Sequence, residues 1–165
     1  MPRAEATVSF GTIVVVTGFI GTFVGGWMSD YLARRSRQAY LWLSAGATLV
    51  AAPLVWMALT AGSNALYMIY MVSAQLCLFL STGPINAAIV NLVVANQRAS
   101  AIALSVFAIH LLGDVLSPFM VGILSDVYSL QQAVKILPLA VLVGGLVWAW
   151  AARAQGSTPP PAALA

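Results

Sequence analysis

Apolar residues in this chain run in long blocks, and short polar turns divide those blocks into five. Each block reaches the roughly 20 residues needed to cross a hydrocarbon layer about 30 Å thick. They lie near Phe10–Met28, Ala39–Leu59, Leu66–Val94, Ala99–Leu124 and Gln132–Ala151. The pattern predicts an all-α membrane protein with five transmembrane helices: an external segment 1–9, a bundle over 10–152 and a disordered cytoplasmic tail over 153–165. The first block exceeds the apolar core of a signal peptide, about 7–15 residues, and ends in Gly25-Gly26-Trp27 without a small-residue cleavage site. It is expected to remain in the mature protein.

Composition strengthens this assignment. Hydrophobic residues make up 61% of the chain and charged residues 7%, well beyond the roughly 45–50% apolar content of soluble domains. Where the charges fall matters more than their sum. With alternating sides, Arg34, Arg35, Arg37, Arg98 and Arg153 share one face of the membrane, and Arg3 and Lys135 share the other. Cytoplasmic loops accumulate basic residues, so the amino terminus and the Gly62-Ser63-Asn64 turn are expected outside and the carboxyl terminus inside. The tail Gly156-Ser157-Thr158-Pro159-Pro160-Pro161 reads as disordered. The arginine cluster has no interleaved aromatic residues, which argues against a nucleic-acid partner. Cys77 is alone in an apolar run, so neither a disulfide framework nor a metal-ligand spacing exists, and no cofactor is expected.

The blocks differ in what they carry at depth. The second holds little beyond Ser44 and Thr48, and the fifth is similarly apolar, so both are expected to face lipid; polar groups on the other three should turn inward. In the first, Gly11, Gly18, Gly21 and Gly25 share one strip, the small-residue pattern that lets helices approach closely. The third is interrupted by Ser81-Thr82-Gly83-Pro84, where the missing proline donor predicts a kink. Gln75, Thr82 and Asn86 share a face there, which either lines a cavity or makes interhelical hydrogen bonds.

The fourth block carries the most telling chemistry. Ala103, Phe107, His110, Asp114, Ser117 and Val121 form one stripe, and His110 and Asp114 stand one turn apart. An Asp at the centre of a transmembrane helix costs on the order of 2.5–3.5 kcal/mol, so its presence asks for a function. The pair offers a proton-exchanging site or, alternatively, a polar contact holding this helix against a partner. An enzyme is not expected, because no nucleophile, metal set or paired carboxylates accompany the single histidine.

At the end of the first block the chain reads Gly26-Trp27-Met28-Ser29-Asp30-Tyr31-Leu32-Ala33-Arg34-Arg35. This resembles the G-x-x-x-D-R-x-G-R-R loop motif of major facilitator superfamily transporters, with Tyr31 and Ala33 replacing Arg and Gly. By charge alone it is equally a basic cytoplasmic loop with one incidental Asp. A longer resemblance runs from Thr82 to Asp126. Thr82-Gly83-Pro84-Ile85-Asn86-Ala87-Ala88, Arg98-Ala99-Ser100-Ala101, His110-Leu111-Leu112-Gly113-Asp114 with Ser117-Pro118, and Gly122-Ile123-Leu124-Ser125-Asp126 are similar to the Spinster-like branch. Val115-Leu116 and Phe119 depart from it.

The resemblance implies a partial carboxyl-terminal half of a major facilitator fold, corresponding to helices eight to twelve of a twelve-helix secondary transporter. It implies gating by Gly26, Asp30, Arg34, Arg35 and Arg98, and a substrate or proton pathway through His110, Asp114, Gln75, Thr82 and Asn86. The third block would line the central cavity, and the first and fourth would pack at the interface between halves. The implied partners are the lipid bilayer, the missing amino-terminal helices and a lipid-like or small organic substrate moved by proton-coupled alternating access. The alanine-rich sequence suggests a bacterial inner membrane. Five helices cannot build two six-helix halves, so the expected alternatives are a fragment, a split gene or a non-transporting assembly subunit or remnant.

Overall fold

The computed structural model describes residues 3–36 and 38–156. Arg37 and the proline-rich stretch from 157 onward, with the expectations attached to them, lie outside the described residues. The described chain is helical: α1 (Arg3–Ala33), α2 (Ala39–Leu59), α3 (Asn64–Leu92), α4 (Arg98–Ile109), a π-helical turn (His110–Val115), α5 (Leu116–Val127), α6 (Leu130–Ala133) and α7 (Leu137–Gly156). Short 3₁₀ turns precede α4 and α7. Five stretches are long and apolar enough to span a membrane: Phe10–Ala33, Ala39–Leu59, Asn64–Leu92, Ala95–Val127 and Leu130–Gln155. Helices satisfy their backbone polar groups internally, the requirement that hydrocarbon imposes. At the turns, side chains take over, and the Ser63 and Ser129 hydroxyls accept the backbone N–H groups of Leu66 and Gln132.

The first helix begins at Arg3, ahead of the apolar block that starts at Phe10. Its buried face repeats every four residues, at Thr17, Gly21, Gly25 and Ser29, and packs on α3. A Cβ at Gly21 would lie 2.7 Å from Phe79 Cβ, and one at Gly83 would lie 2.9 Å from the Gly26 nitrogen. Only residues without side chains permit so close a crossing. The glycine strip thus works as expected over Gly18, Gly21 and Gly25, whereas Gly11 meets no described atom within 4 Å.

Pro84 does not break α3, which runs continuously from Asn64 to Leu92. The proline leaves the Leu80 carbonyl without its helical donor. That oxygen points at Gly25, where a Cβ would collide with it. The Cα of Gly25 thereby offers a weak C–H donor to the freed carbonyl.

Helix α2 has two sides: Trp42, Val50, Trp56 and Met57 are exposed, and the opposite side is packed. Helix α2 lies between α3 and α7 and buries Leu41, Ser44, Ala45, Thr48, Ala51, Ala52 and Ala58. The packed side is built from small residues, which drive helix contact in membranes. The Ser44 hydroxyl reaches the Ser81 carbonyl at 3.4 Å, and Gly145 of α7 seats against Leu49. One end of the bundle closes on Leu41, Ala88 and Ala152, with Tyr40, Trp148 and Ala151 around them. The order across the bundle is α1, α3, α2, α7. Helix α7 lies at its edge and leaves Leu139, Val143, Leu146, Val147 and Trp150 exposed.

The fourth span stands apart. None of its described residues is buried, and its substantial contacts are with the segments joined to it in sequence.

Candidate functional site

The π-helical turn occupies the centre of the fourth span, at His110–Val115. Two residues account for it locally. Gly113 weakens regular helix, and Pro118 cannot donate the N–H that the Asp114 carbonyl would accept in an unbroken α-helix. The backbone widens instead, as π-turns do at many functional sites. Within this turn His110 Nδ1 pairs with Asp114 Oδ2. Both side chains are 65% exposed, and no residue of another element covers them. The stripe from Ala103 to Val121 therefore presents its polar centre outward from the described helices.

On α3 the candidate residues separate. Gln75 is half-buried, and its Oε1 accepts a hydrogen bond from the Thr17 hydroxyl of α1 at 3.1 Å. This is the interhelical contact that sequence left as one of two readings. Thr82 and Asn86, one turn apart, are exposed. Thr22 adds a long 3.5 Å hydrogen bond to the Phe79 carbonyl across the same crossing.

The loop candidates gather at the end of the bundle where α1 ends, α2 begins and α3 and α7 end. Gly26 lies against Gly83, and its carbonyl accepts the buried Ser29 hydroxyl at 2.8 Å. Asp30 is exposed and accepts a hydrogen bond from Tyr40 OH at 3.2 Å. Among the described residues no ion pair joins Asp30 to an arginine. Arg34, Arg35 and Arg98 are exposed, and the Arg153 guanidinium stands 5.8 Å from the Trp42 ring centroid, a cation–π contact. Four arginines thus collect at one end. Sequence reasoning missed Tyr40 and Trp42, although aromatic residues at the first turn of a span are a known interfacial signal.

No family model matches the chain. It is 29% identical over 145 residues to a probable sphingolipid transporter, spinster homolog 3, of Arabidopsis thaliana, across 87% of this chain and 28% of that protein. To protein spinster homolog 3 of Danio rerio it is 32% identical, across 83% of this chain and 30% of the relative. To an MFS-type efflux pump of Mycolicibacterium smegmatis it is 30% identical, across 94% and 38% respectively. The chain spans less than two-fifths of the length of these relatives. Five membrane-spanning helices and this consistent set of relatives make it an integral membrane protein with a partial major facilitator fold, and they place the chain in the Spinster-like branch of the major facilitator superfamily.

Proposed function

We propose that the chain works as the carboxyl-terminal part of a secondary active transporter that moves a lipid-like or small organic solute by alternating access, coupled to protons through His110 and Asp114. The observation carrying this reading is an ionisable pair at the centre of an apolar span that no other helix among the described residues covers. A carboxylate facing lipid is costly, and such groups face a bundle interior or a water-filled cavity. Helices supplied by the remainder of the carrier would cover the fourth span and the exposed flank of α1. Thr82 and Asn86 would line the cavity between the halves, while Gln75 contributes by holding α1 to α3.

The relatives' names, sphingolipid transporter and efflux pump, support an amphipathic or small hydrophobic substrate. The arginine-rich end would face the cytoplasm of a bacterial inner membrane, by the preference of basic residues for that side. There Gly26, Asp30, Arg34, Arg35 and Arg98 would form the gate.

Proton coupling needs a group that changes charge during the cycle. The pair can release one proton to water on one side, leaving neutral imidazole beside the carboxylate, and take one up from the other side after the cavity switches, so that one proton crosses per cycle. Asp114→Asn in the assembled carrier, reconstituted in proteoliposomes, should lower proton-gradient-driven flux at least tenfold while leaving gradient-independent exchange of the solute measurable. Flux equal to that of the parent would end the coupling role of this residue.

A further inference from the structure

We propose that Tyr40 is the positioning residue for Asp30, holding the loop carboxylate on the three-helix junction and leaving the adjoining arginines to reach beyond the chain. This rests on the reading of the loop as a gate.

The carboxylate occupies an unfavourable place. Asp30 is in the last turn of α1, where the helix dipole presents its negative end and favours cations. Its natural partner by spacing is Arg34, one turn ahead. Helix α1 ends at Ala33, however, and Arg34 and Arg35 belong to the turn that follows, closed by bonds from the Arg35 and Ser36 N–H groups to the Leu32 carbonyl. Among the described residues no ion pair forms between Arg34 and Asp30, and both arginines of the turn are exposed.

Tyr40 takes that place from a different element. Its hydroxyl donates to Asp30 Oδ1 at 3.2 Å. The Tyr40 ring packs against the cluster of Leu41, Ala88 and Ala152. A phenol anchored in packed helices loses little further freedom when it holds a carboxylate, unlike a long arginine side chain. The end of α1 is thereby tied to α2, α3 and α7 through one neutral donor. With a neutral hydroxyl on the carboxylate, Arg34 and Arg35 stay exposed and the loop offers positive charge outward.

The test reads loop order, not transport. In purified protein in lipid nanodiscs carrying Cys77→Ala and Ser29→Cys, a position fully buried beside Asp30 at the end of α1, the rate of modification by a charged maleimide reports how often that end lifts from its neighbours. Tyr40→Phe keeps the ring and removes only the donor. It should raise the rate about threefold or more, as expected for loss of a partly exposed hydrogen bond to a charged group. Asp30→Ala, which removes the acceptor, should raise it similarly, and the double variant should add nothing to either. The helical signal and its melting should be unchanged in Tyr40→Phe. A parental labelling rate in Tyr40→Phe or in Asp30→Ala, or multiplicative effects in the double variant, would overturn the assignment. Failure here would leave the proton-coupling reading standing, and failure of the Asp114→Asn experiment would leave this one standing.

Discussion

Gly25 shows how a single residue determines a helix contact. Its neighbour across the crossing is the Leu80 carbonyl, freed by Pro84 four positions later, and a methyl group at Gly25 would overlap that oxygen. Gly25→Ala should therefore lower the stability of the α1–α3 contact by about 1–3 kcal/mol, the usual range for overpacking, measured by denaturant titration in micelles. Gly11→Ala is the control. With no described atom within 4 Å, it should be neutral or gain up to about 1 kcal/mol from better helix propensity. The glycine spacing was legible in the sequence. What was not legible was which glycines meet a neighbour, because that depends on where α3 crosses. The pairing of Gln75 with Thr17 was hidden for the same reason: a shared face identifies neither its partner nor whether it has one. Tyr40 was missed because it lies ten positions beyond Asp30 on another helix, and no local motif links them.

At the scale of elements, the apolar blocks anticipated all five spans, and their ends moved by only a few residues. Lengths and runs of apolar residues are set by the membrane, so they survive in sequence without tertiary information. The position of a helix within the bundle is not encoded so directly. Helix α2, read as lipid-facing because it lacks polar groups, exposes one side and packs its serine, threonine and alanine side between two neighbours. Helix α3, for which Pro84 predicted a kink, continues through the proline to Leu92, and a neighbouring glycine accommodates the freed carbonyl. The fourth span behaves differently around Pro118, where no described neighbour approaches and the chain adopts a π-turn. Pro118→Ala restores a donor for the Asp114 carbonyl. It should convert His110–Val115 toward regular α-helix and slow amide exchange across these residues by about tenfold, the equivalent of roughly 1.4 kcal/mol and close to the worth of one hydrogen bond. Unchanged exchange in the variant would show that the wide turn does not depend on the missing donor.

For the molecule as a whole, four helices pack in a row while the span bearing the ionisable pair remains outside their contacts. Its exposed surface, together with α1 residues such as Phe19, Phe23 and Trp27, needs either lipid or protein. The apolar residues are content with lipid. His110 and Asp114 are not, and this difference is what favours further helices of a carrier over a bare bilayer. A nitroxide placed at residue 114 in the assembled carrier, with a second at Leu146 on the exposed edge of α7 as the lipid reference, tests the point directly through collision rates with oxygen, which concentrates among acyl chains. The account predicts markedly lower oxygen accessibility at 114 than at 146, as for a site enclosed by protein or water. Equal, lipid-like accessibility at the two positions would contradict it.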